Sequence, residues 1–148
     1  MINVSIEGNI SEQHDDFINE CIMALFRDEP VKEYDISIHI KKYVDKDGSH
    51  AGFCMGDEIE SSIDIATHWM YEDGEEVKYT PLELAGHLAH ELVHAKQFAR
   101  QQINMVDHVW KHNGMTVNCK GLEYAETPWE EEAYAYETIL TDLLWEIE

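Results

Sequence analysis

The chain has 148 residues, with 31 acidic against 10 basic and a formal net charge of −21. Apolar residues make up 44%, enough for a packed core, which excludes a disordered acidic tail. The charge disfavours nucleic acid and anionic membranes as partners, and Cys21, Cys54 and Cys119 are too scattered for a disulfide framework or a thiolate zinc site.

Ile2, Val4 and Ile6 alternate as in a strand and lead into a Gly8-Asn9 turn. Ser11 is placed to cap a helix whose apolar stripe is Phe17, Ile18, Cys21, Ile22, Leu25 and Phe26, stopped before Pro30. Tyr34, Ile36, Ile38 and Ile40 form a second strand, and Asp45-Lys46-Asp47-Gly48 reads as a hairpin turn into a weaker strand over 51–55. A further strand covers 59–65, with Ile59, Ser61, Ile63 and Ile65 on one face. The acidic run 72–76 reads as a loop. Helices follow at 81–101 and 128–147, joined by about 26 irregular residues, a length that in compact domains is often functional. The expected fold is α+β, one domain over 1–148: a mostly antiparallel sheet of about four strands, packed by three helices in the order β-α-β-β-β-α-α. No segment approaches the roughly 18 apolar residues of a membrane span. The start, MINVSIEGN, lacks the order of a secretory signal, so a cytoplasmic location is expected.

The first of the two long helices carries His90-Glu91-Leu92-Val93-His94. Histidines four apart on a helix project from one face, so both imidazoles can reach one Zn2+. Glu91 lies beside that face, placed to take a proton from a water that the ion activates. Glu83, His87, His90, His94 and Gln97 share one stripe, opposite Leu84, Ala85, Leu88, Ala89, Leu92, Val93 and Ala95. His87 by itself reads as part of a solvated polar face. A catalytic zinc needs a third protein ligand. Gln97 and Arg100 stand where the H-E-x-x-H-x-x-G-x-x-H class has its glycine and last histidine, so that class is excluded. The open alternatives are His108 or His112 in the linker, as in SprT-like proteins, and the glutamates of the last helix, as in gluzincins.

In that helix Trp129, Ala133, Tyr136, Leu140, Leu143 and Ile147 define the buried stripe. Glu131 points away from it, while Glu130 and Glu132 flank it. A competing role exists for Glu130. Thr127-Pro128-Trp129-Glu130 has the form of a capping box, and Thr80-Pro81-Leu82-Glu83 repeats it.

H-E-x-x-H followed by Pro128-x-Glu130-x-x-Ala133 resembles the small gluzincin-type metallopeptidases, the minigluzincins and short peptidases of phage and bacterial genomes. The resemblance spans roughly the C-terminal 90 residues. It implies Glu130 as the third zinc ligand beside His90 and His94, and a strand before the H-E-x-x-H helix, here 59–65, that pairs with extended substrate. Where several relatives have Asp or Asn four residues after that ligand to bond a metal histidine, this chain has Tyr134.

The expected activity is zinc-dependent peptide hydrolysis with Glu91 as general base, on a peptide or protein substrate that the acidic surface would bias toward basic segments. Tyr124, Tyr134, His108 and His112 are the candidates for stabilising the oxyanion. Two rivals remain: an acidic, non-enzymatic binding protein that imitates DNA, and a zincin that binds zinc without being active.

Overall fold

The computed structural model describes residues 2–27, 33–104, 108–112 and 114–145. The elements are β1 (Ile2–Glu7), α1 (Glu12–Phe26), β2 (Tyr34–Lys41), β3 (Gly52–Gly56), β4 (Glu60–Ala66), β5 (His68–Met70), β6 (Glu76–Lys78), α2 (Pro81–Ala99), β7 (Ile103–Asn104), β8 (Val109–His112), β9 (Met115–Asn118), a short 3-10 turn (Tyr124–Glu126) and α3 (Pro128–Leu144). Both Pro30 and Ile147 lie outside the described residues.

The main sheet has the order β1-β2-β4-β3. The α+β class, the four strands and the three helices are as expected; the sense of pairing is not uniformly so. β1 with β2 and β2 with β4 are parallel, and only β3 with β4 is antiparallel. Alternating hydrophobicity reports a sheet with one wet face, which is usually antiparallel. It does not report strand direction. α1 supplies the crossover that a parallel β1–β2 pair requires. Asp45 to Gly48 does turn, with the Gly48 N–H bonded to the Asp45 carbonyl, but the strands on either side are not paired to each other, because β4 lies between them. Beyond the expected elements, β5 and β6 form a small hairpin, and the long linker folds as a sheet of order β7-β8-β9.

One face of the main sheet is covered. Phe17, Ile18, Cys21, Ile22, Leu25 and Phe26 of α1 join Ile36, Ile38, Ile63 and Ile65 of the sheet and Ala85, Leu88, Ala89, Leu92 and Val93 of α2 in one core. Ser11 caps α1 by accepting the His14 N–H, and the other side of the His14 ring reaches the Pro81 carbonyl at 2.9 Å, tying α1 to the first turn of α2. Gly8, at φ +109°, lies against Ile40, where a Cβ would come within 2.6 Å of the carbonyl oxygen. Ile59 is exposed at 63%, because β4 begins only at Glu60.

α3 packs against α2 and buries Trp129, Ala133 and Leu140, but Leu143 is 76% exposed. The helix ends at Leu144, and the extended Trp145 that follows lays its indole on His14 and Phe17 of α1. The last turn is therefore not part of the buried stripe. Gly86, inside α2, has room for a methyl group, the nearest atom to a Cβ being Glu137 Oε2 at 3.4 Å. Gly86→Ala is expected to stabilise the fold by about 0.5–1 kcal/mol, since a helical glycine gives up more chain entropy than alanine. A lower denaturation midpoint would contradict that. Among the described residues no helix is long and apolar enough to cross a membrane.

Candidate metal centre

α2 begins in a capping box: the Thr80 hydroxyl accepts the Glu83 N–H, and the Glu83 carboxylate accepts the Thr80 N–H. Its aliphatic face lies on the sheet, so the helical period turns His90 and His94 toward α3. The same Thr-Pro-x-Glu pattern opens α3, yet it resolves differently. The Thr127 hydroxyl donates to the Tyr124 carbonyl at 2.8 Å and makes no capping bond. Glu130 is thus released from the cap, and its carboxylate lies 2.9 Å from His90 Nε2 and 3.1 Å from His94 Nε2. Glu131 is exposed, and Glu132 accepts from the Gln97 amide at 3.2 Å.

His90, Glu91, His94 and Glu130 are 8%, 7%, 6% and 2% exposed. Ligand atoms of His90, Glu91 and His94 all lie within 4.8 Å of one another. Glu130 meets the two imidazoles at 2.9 and 3.1 Å, hydrogen-bond distances slightly closer than the roughly 3.3 Å between donors around a tetrahedral ion at about 2.0–2.1 Å. The residues present therefore form a buried cluster that could hold a metal ion. Electrostatics agree. Burial pushes the His90 imidazole down, but bonds to Glu130 and Glu137 outweigh it and hold the group up at about 9. Burial pushes Glu130 up, and the two histidines overcome it and bring the carboxyl down to about 2. The cluster is built to hold positive charge between two rings and a carboxylate, and an ion bound there displaces protons.

A second layer orients the rings. Glu137 lies 3.1 Å from His90 Nδ1, and Gln97 lies 2.8 Å from His94 Nδ1. Tyr134 sets its ring edgewise on His90 at 4.7 Å, and the Glu137 carboxylate comes one turn later on the same helix.

A cavity of ≈ 260 Å3 opens beside the cluster, lined by His90, Glu91, Gly52, Tyr124, Tyr134 and Glu137 among others. Burial raises the pKa of Glu91, and His94 and His90 draw it partly back. Gly52 is needed there: a Cβ would stand 3.2 Å from Glu91 Cγ and 3.0 Å from the Asp64 carbonyl oxygen. Burial and the neighbouring Glu130 keep the Tyr124 phenol protonated. His108 and His112 are not among the residues lining the cavity: His108 sits at a turn with φ +53°, and His112, on β8, pairs its Nδ1 with the side-chain amide of Gln102.

Two further features were not expected. β4 is paired on both sides, so among the described residues the free edge beside the cavity belongs to β3. Ile59 to Ile65 is therefore not positioned to pair with another chain, because β3 folds back onto that side. His50, from the loop before β3, also lines the cavity, its Nδ1 held by the Asp45 carboxylate. Nothing local in the sequence marks it, since only the fold of that loop brings it there. Glu137 was more legible, being seven residues after Glu130 and hence on the same helical face.

The molecule is thus an α+β domain with a buried His-Glu-x-x-His cluster that could hold a metal ion. No protein-family model, curated protein or solved structure matches the chain.

Proposed function

We propose that the protein is a gluzincin-type zinc metallopeptidase that hydrolyses peptide bonds in an extended, preferentially basic polypeptide. The observation that carries this reading is the meeting of the Glu130 carboxylate with both Nε2 atoms of the H-E-x-x-H pair, beside a cavity that Glu91 lines. His90, His94 and Glu130 hold the ion. Zinc at such a site supplies Lewis-acid chemistry, activating water at neutral pH and polarising a carbonyl.

Each other role belongs to the chain. Glu91, its pKa raised by burial, accepts a proton from water at its carboxylate and returns it to the leaving amine. The free edge of β3 offers backbone groups to an extended substrate, and Gly52 lets that strand approach Glu91 closely. The Tyr124 and Tyr134 phenols, both at the cavity, are the donors for a developing oxyanion, in preference to His108 and His112. The net charge of −21 favours basic substrate segments.

A DNA-mimicking role would use only the surface charge. It gives no reason for four ionisable groups to be buried together, which is costly without a compensating partner. The test is incubation of zinc-loaded protein with an unstructured basic polypeptide. New amino termini should appear, vanish with a chelator and return with added zinc; cleavage that persists in chelator contradicts the proposal.

A further inference from the structure

Gln97 is fully buried at 0% exposure, one turn beyond His94 on α2. Its Nε2 lies 3.0 Å from the Trp129 carbonyl oxygen and 3.2 Å from Glu132 Oε1, while its Oε1 lies 2.8 Å from His94 Nδ1. A backbone carbonyl can only accept, and so can an ionised carboxylate. The amide nitrogen must therefore face Trp129 and Glu132, which leaves the amide oxygen facing the histidine. An oxygen there can only accept, so Nδ1 of His94 must carry the proton. The lone pair of the neutral ring is then on Nε2, the atom that meets Glu130.

We infer that Gln97 is a positioning residue for the metal, fixing the tautomer of His94 by a hydrogen-bond relay that starts at the Trp129 carbonyl. The inference depends on the zinc-site reading and adds a coupling to it. Trp129 immediately precedes Glu130, so one turn of α3 delivers a ligand to the site and also sets the tautomer of another. Docking of α3 on α2 and readiness for metal are the same event. An apolar side chain of equal length would fill the space and lose the direction. A glutamate would restore an acceptor for His94 but turn its second oxygen toward the Trp129 carbonyl and Glu132.

The test measures zinc affinity by chelator competition in the native protein and in Gln97→Met, Gln97→Glu and Leu25→Ala. Leu25, a buried core residue of α1, controls for lost stability. His94 is followed by 15N NMR in the zinc-loaded protein. The native protein should show an Nδ1–H proton on His94 that exchanges slowly with solvent. Gln97→Met should expose that proton to exchange and weaken zinc binding by about 10–100-fold. Gln97→Glu should not restore native affinity, and Leu25→Ala should keep it. Native affinity in Gln97→Met or in Gln97→Glu overturns the relay, as does an equal loss in Leu25→Ala. A native protein that binds no zinc removes the metal site itself, a different failure.

Discussion

Glu91→Gln should lower kcat by about 10²–10⁴-fold, the usual contribution of a general base, and leave zinc in place. The substitution keeps the volume and a polar end group of a side chain that is only 7% exposed, so the packing against β3 survives. It removes the ability to accept a proton. The metal should be retained because the contacts between Glu130 and the two imidazoles do not involve Glu91. Undiminished cleavage by a zinc-loaded Glu91→Gln protein would mean that the proton goes elsewhere, and the proposed mechanism would be wrong.

Glu130→Ala should have the largest effect on the site as a whole. Its carboxylate is shared between His90 and His94 at 2.9 and 3.1 Å and is almost wholly buried. Its removal takes away a ligand and leaves two imidazoles facing each other without a counter-charge. The expected cost to the metal-free fold is about 3 kcal/mol, the low end for breaking a buried ion pair, because the histidines can shed their protons. Tight zinc binding should be lost as well. The neighbour Glu131, exposed on the same turn, provides the comparison: Glu131→Ala should change stability by no more than about 0.5 kcal/mol. Equal effects of the two substitutions, measured by denaturation and zinc titration, would contradict the special place of Glu130.

The periodic parts of the fold were legible in the sequence, for physical reasons. α1 buries a stripe that repeats with the helical period and β2 buries alternate residues, so each face could be read directly. α2 is instead buried on every side from Leu88 to Ala99, because α3 covers its polar face. Strand order and direction could not, because they depend on which edges meet. That is why β4 turned out to be internal and β3 to be the free edge. Within the site, the spacing of His90 and His94 is a local property of one helix. The role of Glu130 is not local. Thr80 and Thr127 open helices with the same four-residue pattern, yet only Thr80 completes its capping box. The difference arises from the Tyr124 carbonyl, which takes the Thr127 hydroxyl, and from the histidines waiting on α2. Gln97 was visible as a member of the polar stripe, but its partners, the Trp129 carbonyl and Glu132, come from another helix. Leu143 shows the converse, a residue in correct period that stays exposed because α3 stops one residue later.

Everything proposed for the site depends on a metal ion at His90, His94 and Glu130. Elemental analysis of the purified protein, beside His90→Ala purified in the same way, tests that most directly. The account predicts about one zinc per chain in the native protein and its loss from the variant. A native protein free of zinc and unable to take it up, or a His90→Ala protein that retains it in full, would contradict the account.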